Sequence, residues 1–231
     1  MKNIGLDIIF EDNHIIAVNK PPGILSQKDN TGDDSIIEMI KDYLKIKYDK
    51  PGNVFVGSVH RIDRPASGLL VFAKTGKALS RLTESMRKSY FTKKYYAIIE
   101  GKTNENSGTL EHYLLKDNIS NTVKVFKEKK QESKYSALNY KKLATSGNRT
   151  LFEIELITGR PHQVRAQLSF VFGPILGDVK YGSDFLSSKH KIYLHSFFLS
   201  FPHPTLRTVM EFCNFPDLND NIWNQFRKYI Q

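Results

Sequence analysis

Cysteine is almost absent from this sequence of 231 residues. Cys213 is the only one, so neither an intrachain disulfide nor a cysteine-rich zinc site can form, and a reducing compartment is expected. No apolar run approaches the roughly 20 residues needed to span a bilayer. The amino terminus, Met1-Lys2-Asn3-Ile4-Gly5, opens without the apolar stretch of a signal peptide. The expectation is a soluble, cytoplasmic protein that is not bound to a membrane. Also missing are the phosphate-binding Gly-x-x-x-x-Gly-Lys loop, the dinucleotide fingerprint Gly-x-Gly-x-x-Gly and a serine in a nucleophile elbow. These absences remove the usual routes to nucleotide hydrolysis, hydride transfer and acyl transfer. His190, His195 and His203 have no tight ligand spacing and no adjacent carboxylate, and His60 and His162 each lie close to an arginine. No metal is therefore expected. With no repeat, no low-complexity linker and no break in composition, residues 1–231 read as a single domain.

Positive charge, by contrast, is plentiful. Lys and Arg number 34 against 24 Asp and Glu, a formal charge of +10 and a pI near 9.5. Such a balance favours a polyanionic partner, nucleic acid or an anionic membrane surface. A hydrophobic content of 40% is too high for a disordered chain.

Ile8 to Lys20 reads as two short strands broken by Glu11-Asp12-Asn13, and Pro21-Pro22-Gly23 stops regular structure. Ser35 with Glu38 three residues on is a capping box, opening a helix with Ile37, Ile40 and Leu44 on one face. Thr75 caps a second helix with Leu79, Leu82 and Met86 inward and Arg87 and Lys88 at its carboxyl end. Leu69 to Ala73 and Tyr95 to Ile99 read as buried strands. Lys102 to Asn121 is polar and turn-rich. Thr122 to Lys134 carries Lys124, Lys127, Lys129, Lys130 and Lys134 and reads as an exposed hairpin. Tyr135 to Leu143, Thr150 to Ile157 and Ile192 to Phe201 are further strands. Phe152, Ile154 and Leu156 alternate with Glu153 and Glu155, which fits antiparallel pairing. Pro161 is placed to start a helix with Val164, Leu168 and Val171 inward, and a last helix from about Asp217 carries Leu218, Ile222, Phe226 and Tyr229. Because strands and helices do not alternate regularly, the fold class is α+β, a largely antiparallel mixed sheet flanked by helices.

Two stretches can carry chemistry. In His60-Arg61-Ile62-Asp63-Arg64-Pro65-Ala66-Ser67-Gly68 one carboxylate stands between two guanidinium groups on a turn that leads into an apolar run. Asp63 can serve as nucleophile, base or ligand, or only as a salt-bridge partner of Arg61 or Arg64. In Gly159-Arg160-Pro161-His162-Gln163-Val164-Arg165 a helix start places His162 and Arg165 on one side. If Arg165 meets Asp63, the pair has a chemical consequence, since an adjacent guanidinium favours the charged form of a carboxylate; the plain alternative is a basic helix start that caps itself. Tyr95 is either a core aromatic or a platform on which an unstacked base rests; Tyr96 faces the other way.

These stretches resemble the signature segments of the RluA-type pseudouridine synthases. Glu11 to Gly23 is similar to the family's opening segment. Lys93-Lys94-Tyr95-Tyr96-Ala97 resembles its tyrosine motif and Thr158 to Arg165 its third motif. Gly173 to Gly182 and Leu194-His195 match further segments in order. Ala66 departs from the pattern, where a threonine is frequent. The resemblance implies the pseudouridine synthase catalytic fold as a stand-alone domain, without the preceding RNA-binding module of some members. It implies that Asp63 attacks the target nucleotide, so that the uracil detaches, rotates and rejoins through carbon. Arg165 would pair with Asp63, Tyr95 would stack on the uracil and assist proton removal, and Arg61 would fill the gap left by the flipped uridine. His60, Arg64, Arg160, His162 and Gln163 belong to the same motifs and are expected to contact the RNA. No metal and no organic cofactor is implied. The expected partner is tRNA or ribosomal RNA, not DNA, and the expected state is a monomer. Two other readings stay open: a non-catalytic RNA-binding protein that retains the fold, and a metal-free glycosidase or nucleotide hydrolase using Asp63, although the motifs offer no second carboxylate for the latter.

Overall fold

The computed structural model of the chain describes residues 5–28, 32–187 and 191–230; His190 and Met1 to Ile4 lie outside them. The chain divides into two compact units, one comprising Met1–Thr92 and Ser196–Asn214, the other Lys93–His195 and Phe215–Gln231.

In the first unit β1 (Asp7–Glu11) and β2 (Ile15–Lys20) form an antiparallel hairpin with a bulge between Ile8 and Phe10. Asp12 makes its turn: the carboxylate accepts the backbone N–H groups of His14 and Ile15, each at 2.7 Å. β2 pairs antiparallel with β4 (Ser67–Ala73), Ile15 opposite Ala73 and Lys20 opposite Gly68, and the two-residue β3 (Gly57–Ser58) pairs with the far end of β4. β10 (Leu194–Pro202), whose residues from Ser196 onward belong here, lies beside β4 and pairs with β11 (Val209–Cys213). Both helices start where a hydroxyl caps them: Ser35 accepts from Glu38 N ahead of α1 (Ile36–Lys47), and Thr75 accepts from Ala78 N ahead of α2 (Gly76–Arg87). The inward face of α1 is Ile36, Ile40 and Leu44: Ile40 and Leu44 as expected from the sequence, with Ile36 in place of Ile37. Ala78 and Leu82 of α2 pack with Leu69, Val71, Leu199 and Phe201 in one core, with Leu79 and Met86 at its margin.

In the second unit β5 (Thr92–Glu100), β9 (Arg149–Leu156), β8 (Lys134–Ser146), β6 (Ser107–Asp117) and β7 (Thr122–Phe126) follow one another in that order, each pair antiparallel. β6 corrects the reading of Lys102 to Asn121 as turn-rich. Leu110, His112 and Leu114 face inward at every second residue, and only the ends of the segment are turns. The basic stretch is one arm of a hairpin and not a hairpin in itself: β7 pairs back to β6, Val123 is buried, and Lys124, Lys127, Lys129, Lys130 and Lys134 are exposed as expected. The following helix, α3, is Gln163–Val171 and not a helix from Pro161: His162 precedes it in the left-handed region, φ 50°. Val171 is exposed rather than inward. The final helix is short, α4 (Asn221–Asn224), then a 3-10 turn, with Trp223, Phe226 and Ile230 buried and Tyr229 exposed.

Candidate active site

In the first unit the charged loop is held at its base by a lysine that the sequence reading gave no role. Lys20 ends β2 with its side chain fully buried, and its ammonium donates to the carbonyls of Pro21 (2.9 Å), Ile24 (2.8 Å) and Arg64 (3.1 Å). Gly23 N donates to Arg64 O at 2.8 Å, Arg64 Nε returns a bond to Gly23 O at 2.9 Å, and Arg64 also pairs with Asp33. Ser26 Oγ both donates to Ile62 O and accepts from Ile62 N. His60 Nε2 accepts from Val71 N at 3.2 Å, fixing the loop to β4. Asp63, half-buried, is thus carried by a loop anchored on both sides, its own carbonyl accepting from Ala66 N. Arg61 is exposed next to it. Burial pushes the Lys20 amine down to about 7; the charge of Asp63 opposes the shift and that of Arg64 adds to it. A buried ammonium with only carbonyl partners costs free energy, and the field of Asp63 offsets part of that cost.

In the second unit the third motif is arranged around Arg165. Its guanidinium, 4% exposed, donates Nε to Asp178 Oδ2 at 2.6 Å and Nη2 to Oδ1 at 2.8 Å, the fork-to-fork geometry of a strong charge-assisted pair. Asp178 is 1% exposed. The guanidinium lies 5.1 Å from the centre of the Tyr181 ring. The Tyr181 hydroxyl accepts from Val123 N and shares a bond with His162 Nδ1, both at 2.9 Å, which ties the motif to β7. The Gln163 side chain closes the Thr158–Gln163 turn: its oxygen accepts from Thr158 Oγ1 and Arg160 N, and its amide donates to Ala137 O. These bonds, to residues far apart in the chain, hold His162 in its left-handed conformation and delay the helix start. Arg160 is exposed and gives its Nε to Tyr135 O. Tyr95 stands buried on β5, opposite Ile154 of β9, and Tyr96 is buried on the other face.

The sequence segments of Lys20, Asp178 and Tyr181 were visible as motif matches, but their roles were not, because each depends on burial or on a partner more than ten residues away. Among the described residues no group of three or more His, Cys, Asp and Glu could hold a metal ion, and no helix is long and apolar enough to cross a membrane.

The family model described as RNA pseudouridylate synthase matches residues 14–170, more than half of the chain. The chain belongs to that family. Its motif loops and both groups of residues described above fall largely within the matched span, and the Asp178 and Tyr181 contacts just beyond it. Among relatives of the synthase family, the Borreliella burgdorferi ribosomal large subunit pseudouridine synthase D is 33% identical over 84% of this chain, which spans only 60% of that protein. The Vibrio vulnificus dual-specificity RNA pseudouridine synthase RluA is 32% identical over 95% of this chain and 88% of its own length. The structure of human RNA pseudouridylate synthase domain containing 4 superposes with a TM-score of 0.77 at 21% identity, covering 97% of this chain and 94% of the human one, so the synthase fold is shared.

Proposed function

We propose that the protein is an RNA pseudouridine synthase that converts a uridine of structured RNA into pseudouridine, with Asp63 as the nucleophile and no cofactor. The observation that carries this reading is the placement of Asp63 in a family member: half-buried, beside an exposed arginine, on a loop that Lys20, Gly23 and Ser26 hold from below. The reaction is an isomerisation. The bond from the sugar to the uracil nitrogen breaks, a sugar–carbon bond forms in its place, and the proton on that carbon is lost to solvent while the nitrogen gains one. Asp63 takes up the target nucleotide while the base turns. Tyr95 stacks on the uracil and assists the proton transfer. Arg165 is the cation proposed to act with Asp63, and the bidentate grip of Asp178 supports this role by fixing the guanidinium plane. Uridine must leave its stack at a cost of about a few kcal/mol, and Arg61, planar and exposed, fills the vacancy.

The substrate is tRNA, ribosomal RNA or both. The names of the Borreliella and Vibrio relatives, one of the large ribosomal subunit and one of dual specificity, support this range. Residues 1–231 act as one catalytic domain, a reading supported by a family match that runs through the first unit and into the second. A cytoplasmic monomer that acts on neither DNA nor membranes completes the proposal.

The test is to incubate the protein with cellular RNA and map pseudouridine chemically, with Asp63→Ala and Asp63→Asn in parallel. Wild type is expected to modify discrete uridines and both variants to fall to background. Modification that persists in either variant removes Asp63 from the chemistry. Tight RNA binding by wild type without any modification favours the non-catalytic reading.

A further inference from the structure

Lys93 sits at the amino end of β5, two residues before Tyr95, so the two side chains leave the strand on the same face. It is partly buried, and among the described residues no carboxylate, carbonyl or hydroxyl is paired with its amine. Its neighbour Lys94, on the opposite face, is paired with Glu153 at 3.3 Å. The Lys93 amine lies against the main chain of Gly159, close enough that a Cβ there would meet it at 3.3 Å. It therefore stands between the tyrosine strand and the Thr158–Arg165 turn, with Arg160 one residue beyond. Burial lowers its pKa, with no opposing partner. An ammonium drawn out of water without a counter-ion costs free energy, so an anion that arrives there gains more than one at an exposed lysine. Glycine at 159 keeps the approach to the amine clear.

We propose that Lys93 is an anion-binding residue that takes a phosphodiester of the bound RNA beside Tyr95. The inference rests on the RNA reading above and adds a named contact to it. A phosphate there is held by one ammonium on β5 while Arg160 lies at the rim, so the backbone of the flipped nucleotide is fixed where its base meets the tyrosine ring.

Two measurements on the full chain test it. In the first, wild-type protein is acetylated briefly with and without unmodified tRNA and ribosomal RNA transcripts, and each lysine is quantified by mass spectrometry. A third arm replaces RNA by inorganic phosphate at the same phosphate concentration. RNA is expected to protect Lys93 strongly and inorganic phosphate weakly. In the second, the salt dependence of RNA affinity is compared for wild type, Lys93→Gln and Lys93→Arg. Lys93→Gln is expected to weaken binding roughly tenfold, the scale of one charge-assisted hydrogen bond, and to flatten the slope by about 0.7–0.9; Lys93→Arg is expected to restore both. Lys93 acetylated equally with and without RNA overturns the proposal, as does a folded Lys93→Gln with unchanged affinity and slope. Equal protection by inorganic phosphate overturns the RNA assignment and leaves a general anion site. Should Lys93→Gln fail to fold, the wild-type protection and Lys93→Arg decide. Pseudouridine formation without protection defeats this inference alone; protection without pseudouridine defeats the catalytic reading alone.

Discussion

At the scale of single residues, the charges that matter most are the buried ones. Lys20 is the clearest case, because its folded-state pKa of about 7 lies below the ordinary 10.5. Between these values the unfolded chain binds the proton that the folded chain has released, so stability rises with pH across that window. Below about pH 7 both states hold the proton and the full cost of burying it is present. Lys20→Met should remove this dependence. The stability difference between variant and wild type, from urea unfolding at several pH values, is expected to change between about pH 7 and 10 and to be flat below it. A difference that stays constant throughout would show that the amine is not titrating in the fold. Arg165 warns of a different outcome for a common substitution. Removing its charge leaves Asp178 buried and unpaired, which costs about 3–5 kcal/mol, so Arg165→Met would confound loss of chemistry with loss of fold. Arg165→Lys keeps the charge and gives up only the fork.

Elements were legible where their causes are local. Ser35 and Thr75 cap helices from within four residues, and the alternation of Phe152, Ile154 and Leu156 declares a strand by itself. They were illegible where distant partners decide. The left-handed turn at His162 depends on Tyr181, nineteen residues on, and on Gln163 reaching back to Ala137. β6 was hidden because polar ends mask its alternating Leu110, His112 and Leu114. Motif glycines are another non-local case. Gly68, the second residue of β4, has φ +115°, and a Cβ there would overlap the backbone of Ser196 in β10. Close approach of two strands and positive φ both forbid a side chain. Gly68→Ala should therefore cost at least about 2 kcal/mol, read by chemical denaturation, with Gly52→Ala, which meets nothing within 4 Å, near neutral. Similar stability for the two variants would mean that the loop carrying Asp63 does not depend on this contact.

For the whole molecule, the formal charge of +10 raises a question that composition cannot answer: whether RNA feels the net charge or a particular surface. The division into two units was equally absent from composition, since no linker marks it and the chain re-enters the first unit within β10, at Ser196, and leaves it again after Asn214. The two possibilities can be tested apart, because Lys124, Lys127 and Lys129 are exposed on and beyond β7 in the second unit, while Lys45, Lys50 and Lys77 are exposed on and near the helices of the first. Neutralising either trio to Gln changes the net charge by the same three units. If the basic hairpin is the surface that meets phosphates, the first trio releases fewer counterions on binding. The slope of log affinity against log salt should then flatten by about 2–3, while the second trio leaves it nearly unchanged. Val123 N is bonded to the Tyr181 hydroxyl, and Arg165 lies over the Tyr181 ring, so the hairpin is also the surface joined to the third motif. Equal flattening by both trios would assign the effect to long-range charge alone and leave the hairpin without a role in holding RNA.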